Sequence, residues 1–381
     1  MTSLRLALII IGLVVVIVVA LISYDKLRLR RIDRRRESRP SVWQEPVLVE
    51  RGGARRPPPA GDGRAVAPGA AGEDGDLPEL AELEYAATQA LDLDPGLPPA
   101  LTPQRPDEHI DFVARVPGDT PVPRDAVLGI FRQNEYLLDK HRRIYGFNLD
   151  RELWRDLDQE PQDAQFGDVE LAIQLADLDG PIDESELNKF AQMGLKVADS
   201  LVRPIKFSMS FEAALERARE LDAFAQRYDV LAIVYLLAPE GQSFTGRRIE
   251  QAARAAGMRL GEMNIFHRPN PRRRGGPHLF SMANLVKPGE FDPDGLDRFT
   301  TRGLTVFMNV PLTPDPPAAF TEMMEAARAM AKALDGRLTD QKRRPLAEED
   351  EARIGEQVRR IAMEMTEQGI PPGGETALRL F

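Results

Sequence analysis

The chain has 381 residues, no cysteine and a formal net charge of −10. Without cysteine, structural disulfides, thiolate metal sites and cysteine nucleophiles are excluded. The acidic balance disfavours general nucleic-acid binding, whose affinity rests on phosphate contacts, while the length accommodates two modest domains with additional segments.

Leu4 to Tyr24 reads LRLALIIIGLVVVIVVALISY, apolar except for Arg5, and unbroken from Leu6 to Ile22. With its flanks this run can cross about 30 Å of hydrocarbon as a helix. Its length, and basic residues that follow rather than precede it, identify residues 1–25 as an uncleaved anchor and not a signal peptide. Lys26, Arg28, Arg30, Arg31, Arg34, Arg35, Arg36 and Arg39 come next, offset by Asp33 and Glu37. The positive-inside rule keeps that flank cytoplasmic, so the N-terminus is expected to face outward and everything downstream to lie in the cytosol. The same cluster, Lys26–Arg39, is suited to contact anionic lipid head groups. Residues 26–107 continue as a linker. From Pro40 to Asp107 it is rich in Gly, Pro and Ala, as in RRPPPAGDGRAVAPGAAGEDGD, and is expected to be disordered because it cannot bury enough apolar surface to order itself.

Beyond the linker, strands alternate with helices, in an order that occurs twice. In residues 108–228 strands are expected at Ile110–Val116, Ile144–Leu149, Val169–Ala176 and Ile205–Met209. Helices there bury Leu187, Phe190, Ala191, Gly194, Val197, Ala198 and Leu201, and run over Phe211–Tyr228. In residues 229–370 strands are expected at Val230–Leu237, within Arg259–His267 and His278–Val286, and at Leu304–Val310 and Arg337–Asp340. A helix buries Phe320, Met323, Met324, Ala327, Met330, Ala331 and Leu334, and another covers about Ala347 to Glu367. The fold class is therefore α+β. A transmembrane helix and a disordered linker lead into two tandem α/β sandwich units, each with a mostly antiparallel sheet covered by helices on one face. Residues 108–228 form a degenerate repeat of 229–370.

One-sided helices leave the other sheet face open, and alternation assigns residues to it. In Leu304–Val310 the set Leu304, Val306, Met308 and Val310 faces the helices, which turns Thr305, Phe307 and Asn309 to the open side. The same parity puts Phe280, Met282 and Val286 in the core, with Ser281, Ala283 and Leu285 outside. The first strand is apolar on both faces, with Leu231, Ile233 and Tyr235 on the open one; Met263 and Ile265 join them. A contiguous apolar patch of this kind usually marks a partner site; the alternative is that another element, such as the first unit, covers it. Ala172 aligns with Phe307, so a counterpart groove in the first unit lacks the aromatic anchor.

Gly261 to Phe291 reads as a hairpin around a basic, Gly/Pro-punctuated turn, bracketed by His267 and His278 as a solvent-exposed pair. The strings GEMNIFHR, LFSMANLVKPGEFDP and FTTRGLTVFMNVP follow the C-terminal domain of the ZipA cell-division proteins nearly residue for residue, and about Val230 to Arg360 resembles that family. The resemblance implies a groove on the open sheet face that receives the C-terminal tail of FtsZ, the tubulin-like protein of the division ring. It also implies inner-membrane attachment. Its groove positions correspond to Leu231, Ile233, Met263, Ile265, Leu285 and Phe307, where Leu285 stands for a methionine and Leu231 for a valine. Tyr235 and Ala283 share the face, and Lys287 and Arg272–Arg274 offer charge to an acidic tail.

No histidine has metal-ligand spacing, no serine sits in a nucleophile elbow and no phosphate loop is present, so neither catalysis, cofactor nor metal is expected. The reading is a tether: anchored copies meeting a polymer that displays many tails gain avidity from weak contacts. A second reading is a membrane-anchored scaffold whose two units pack sheet to sheet and bind a different partner.

Overall fold

A computed structural model describes residues 48–50, 104–271 and 277–381. The expected anchor (1–25), the basic flank Lys26–Arg39, most of the linker and the turn residues Arg272–Arg274 lie outside the described residues. Among the described residues no helix is long and apolar enough to cross a membrane. Among the described residues the architecture is mixed α+β, with two large antiparallel sheets, two short two-stranded pairs and flanking helices.

The linker reading needs amending at two places. Leu48–Glu50 forms a strand, β1, rather than disordered chain. Folded structure also begins by Gln104, whose backbone N–H donates to Trp154 O at 2.9 Å and whose Oε1 accepts from Asp156 N at 3.0 Å.

The first sheet is built from β2 (Asp111–Val116), β3 (Arg142–Asn148), β4 (Leu153–Asp156), β5 (Gln165–Gln174) and β6 (Lys206–Phe207). They lie in the order β4-β3-β5-β2-β6, with Val122–Pro123 also paired to β5. Helices α1 (Arg124–Asn134), α2 (Glu184–Leu201) and α3 (Phe211–Tyr228) accompany it. Asp183 starts α2 by accepting from Glu186 N at 2.8 Å, and Ser210 starts α3 by accepting from Ala213 N at 3.2 Å, as N-caps do for otherwise unpaired amides. The α2 stripe Leu187, Phe190, Val197 and Ala198 packs into a core with Phe112, Ala114, Phe166 and Leu171.

The second sheet contains β7 (Val230–Leu237), β8 (Arg259–Leu260), β9 (Phe266–Arg268), β10 (Phe280–Asn284), β11 (Gly303–Asn309) and β12 (Arg337–Thr339). Its order is β1-β7-β11-β10-β9-β8, and β12 shares the edge of β7 with β1. Three helices pack on it: α4 (Gly246–Ala255), α5 (Pro316–Leu334) and α6 (Glu348–Glu367). Helix α5 starts at Pro316 and Pro317 behind the Asp315 cap, positions where proline loses no intrahelical bond. Four acidic residues, Glu348 to Glu351, fill the first turn of α6, where the helix dipole favours negative charge.

Two features depart from the linear pattern. In the first sheet the inner strand β3 precedes the edge strand β4, whereas in the second the outer β9 precedes the inner β10. Inner and outer strands have the same alternation, so sequence order alone does not separate these arrangements. The run Arg259–His267 is also not one strand: β8 and β9 pair with each other, Arg259 opposite His267, around a turn at Gly261–Ile265.

The end of the chain joins the first core instead of stopping with the second sheet. Met365 and Ile370, together with Ala377, Leu380 and Phe381 from helix α7 (Glu375–Leu380) and its end, pack among the first core's residues. Arg379 donates to both oxygens of Asp111 at 2.9 and 2.5 Å, and Gln174 Nε2 donates to Arg379 O at 2.7 Å. Glu364 of α6 accepts from Arg227 at 2.7 Å and from the Tyr228 hydroxyl at 3.0 Å. The Asp111 side chain is 1% exposed, so removing its partner leaves a carboxylate buried beside apolar residues. Arg379→Ala is expected to lower the unfolding free energy by about 3 kcal/mol, as for other broken buried pairs. Urea denaturation followed by far-UV circular dichroism checks this, and an unchanged midpoint would show the tail to be dispensable.

Candidate functional site

Alternation along β11 divides the second sheet into two apolar faces. Leu304, Val306, Met308 and Val310 join Phe280, Met282, Phe320 and Met323 in the core under the helices. On the opposite face Leu231, Ile233, Tyr235, Ile265, Ala283, Leu285 and Phe307 form a separate cluster, flanked by Leu237 and Met263. Val286, assigned by parity to the core, is instead 53% exposed, because β10 ends at Asn284 and the chain turns away.

Register explains how distant segments meet here. Ser281 lies opposite Phe307, and Phe307 lies opposite Ile233. One step along, Ala283 faces Thr305, which faces Tyr235. Small residues from β10 thus lie beside Phe307 and leave its ring room. Met263 and Asn264 both take left-handed backbone conformations, φ 56° and 55°, and Gly261 N donates to Ile265 O at 3.0 Å to close the turn. That turn carries Met263 to the margin of the cluster and Ile265 into it. Lys287 is exposed, two residues beyond Leu285.

The face is not bare to solvent, contrary to the expectation of an open one. Its seven clustered side chains are between 0 and 7% exposed. Among the described residues, no apolar side chain of 104–228 packs against them, so the first unit does not supply an apolar cover. Burial pushes the Tyr235 hydroxyl up to about 12.

The histidine pair also differs from its expected form. His267 and His278 do meet across the hairpin, with ring centroids 4.2 Å apart, but His267 is only 2% exposed. His267 Nε2 donates to Glu262 O at 3.0 Å, so its Nδ1 accepts the Ser281 hydroxyl at 2.9 Å. Burial, reinforced by the neighbouring His267, lowers His278 to about 4; burial also lowers His267.

In the first sheet, Ala172 stands opposite Val113 as Phe307 stands opposite Ile233. The flanking positions are polar there: buried Glu170 accepts from Arg105 at 3.1 Å and from Arg115 at 3.3 Å. Ion pairs occupy the place of an apolar groove. Among the described residues no cluster of metal-ligating side chains occurs.

The second sheet and its helices form an antiparallel α+β module with an apolar face opposite the helices. Residues 230–357 match the family model of ZipA, C-terminal FtsZ-binding domain. Similar curated proteins include the cell division protein ZipA of Pseudomonas aeruginosa, 41% identical over 115 residues, 30% of this chain and 40% of that protein. The ZipA of Shewanella baltica is 36% identical over 137 residues, 36% of this chain and 38% of its own length. That of Shewanella sp. (strain W3-18-1) is 33% identical over 181 residues, 44% of this chain and 53% of its own. The alignments thus span between about two-fifths and one-half of these relatives. Over that segment the resemblance carried by GEMNIFHR and FTTRGLTVFMNVP is borne out.

The histidine pair generates a pH prediction. A histidine held neutral in the fold and free to protonate when unfolded favours folding above its ordinary value of about 6.5 and loses that contribution as pH falls. Melting temperature is therefore expected to drop between pH 6.5 and 4, and His278→Gln to flatten part of that slope. A parallel slope in the variant would dissociate the pair from acid sensitivity.

Proposed function

We propose that the protein is a bitopic inner-membrane cell-division protein whose C-terminal module docks the C-terminal tail of FtsZ on its apolar sheet face and so tethers FtsZ polymers to the membrane. The observation that carries this reading is the joining of Leu231, Ile233, Tyr235, Ile265, Ala283, Leu285 and Phe307 on the side of the sheet away from the helices. A second apolar face has no role in the helix-covered core, and such surface usually serves association. The match of residues 230–357 to an FtsZ-binding domain family supports FtsZ as the partner.

The remaining parts follow from the sequence. The apolar run Leu6–Ile22 anchors the chain, with its N-terminus outside and its domains in the cytosol, and Lys26–Arg39 contacts anionic lipid. Residues 108–228 form a degenerate repeat whose ion-paired face takes no apolar peptide. The protein works by binding and positioning, with no catalysis, cofactor or nucleic acid. Anchored copies facing a polymer with many tails turn a weak contact into a durable one.

Docking requires that the face be uncovered, since its side chains are at most 7% exposed. That same observation favours a second reading, a membrane-anchored scaffold in which the face stays occupied and no peptide enters. Titration of the full chain in lipid nanodiscs with an FtsZ tail peptide separates the two. Micromolar binding supports the tether, and none supports the scaffold. Phe307 is the aromatic anchor, so Phe307→Ala is expected to weaken binding by about 2 kcal/mol or more, the range of interface hot spots. Unchanged affinity in a folded Phe307→Ala protein would remove the groove assignment.

A further inference from the structure

Next to Phe307 the apolar face ends in a small pocket lined by His278, Leu279, Phe280, Ser281, Phe307, Asn309, Leu312 and Thr313. Most polar groups there are already used. The Ser281 hydroxyl is bonded to His267, and Thr313 Oγ1 donates to Asn309 O at 2.5 Å. Asn309 is 5% exposed, and its Oδ1 accepts from Leu312 N at 3.2 Å. That bond fixes which way round the amide lies. It leaves Nδ2 buried with no partner, and His278 Nδ1 is in the same condition. A buried donor without an acceptor is destabilising, and folded proteins seldom tolerate one without a reason. Here two unpartnered nitrogens belong to one pocket beside the aromatic anchor.

We propose that this pocket is a hydrogen-bonding subsite, in which Asn309 Nδ2 and His278 Nδ1 donate to a main-chain carbonyl oxygen of the peptide docked on the apolar face. The inference rests on the peptide-docking reading above. A neutral acceptor suits the site because its lining contains no Lys or Arg to balance a carboxylate. An extended peptide offers carbonyls at regular intervals, so one at this end sets register, while Phe307 supplies apolar contact. A site built around a buried donor rejects ligands that leave the donor unpaired more strongly than an apolar pocket rejects a wrong shape. Specificity then resides at Asn309 and affinity at Phe307.

Asn309→Asp tests the assignment cleanly, because the carboxylate still accepts from Leu312 N but offers the peptide no donor. The full chain in nanodiscs is titrated with the FtsZ tail peptide, alongside Phe307→Ala, Asn309→Asp and His278→Ala, each checked for folding by circular dichroism. Asn309→Asp is expected to lose at least tenfold in affinity and His278→Ala about threefold. In wild type, the Asn309 side-chain amide NMR signal is expected to shift on peptide addition, a readout independent of any variant's folding. If Phe307→Ala weakens binding while Asn309→Asp binds like wild type and that signal stays still, the subsite is overturned and the groove stands. If folded Phe307→Ala binds like wild type, the groove reading fails and the subsite with it.

Discussion

The constraint on which the second module depends is the double burial of β11. A strand flanked by β7 and β10 has all its backbone groups committed to the sheet, so its side chains must satisfy both faces through alternation alone. In Gly303–Asn309 one parity supplies Leu304, Val306 and Met308 to the helix-covered core, while the other supplies Thr305, Phe307 and Asn309. A slip of one residue would exchange these sets and place Asn309 among methionines and Phe320. The register that forms the core therefore also determines the composition of the opposite face.

That opposite face mixes apolar area with unsatisfied polar atoms. Leu231, Ile233, Ile265, Leu285 and Phe307 give it hydrophobic contact, whereas Thr305 Oγ1, Asn309 Nδ2 and His278 Nδ1 are buried without partners. A second core would be expected to avoid the latter, since each lowers stability. On the docking reading proposed above, a partner chain would supply the missing hydrogen-bond partners. The first sheet illustrates the contrast. Its equivalent positions hold Glu170 with Arg105 and Arg115, and Asp111 with Arg379, so its buried carboxylates are paired within the chain.

The chain terminus binds these modules into one unit. Helix α6 begins with acidic residues beside the second sheet and ends with Met365 in the first core; α7 then adds Leu380 and Phe381 there. The α3–α6 hydrogen bonds, through Arg227, Tyr228 and Glu364, join the C-terminal ends of the two helices. They differ from the sheet-to-sheet packing that the scaffold reading imagined, and leave the apolar face of the second sheet clear of apolar contact with residues 104–228.

Much of this was legible in the residues themselves. Periodicity alone located the helices at Phe320–Leu334 and Phe211–Tyr228, and the parity of Leu304–Val310 assigned Phe307 to the side away from the helices, because those patterns report local geometry. Other features depend on contacts between residues far apart in the chain, which no local pattern encodes. They include the shielding of the apolar face, the burial of His267 against His278, and the pairing of Leu48–Glu50 with β7. Arg379 is an ordinary basic residue near a terminus until the fold sets it against Asp111. Asn309 is an ordinary polar residue until Leu312 N claims its oxygen and leaves its nitrogen without one. Sequence by itself determined which side chains share a face, since alternation is a property of one strand; tertiary structure decided which of them are covered, paired or left wanting, since those depend on what the rest of the chain brings alongside.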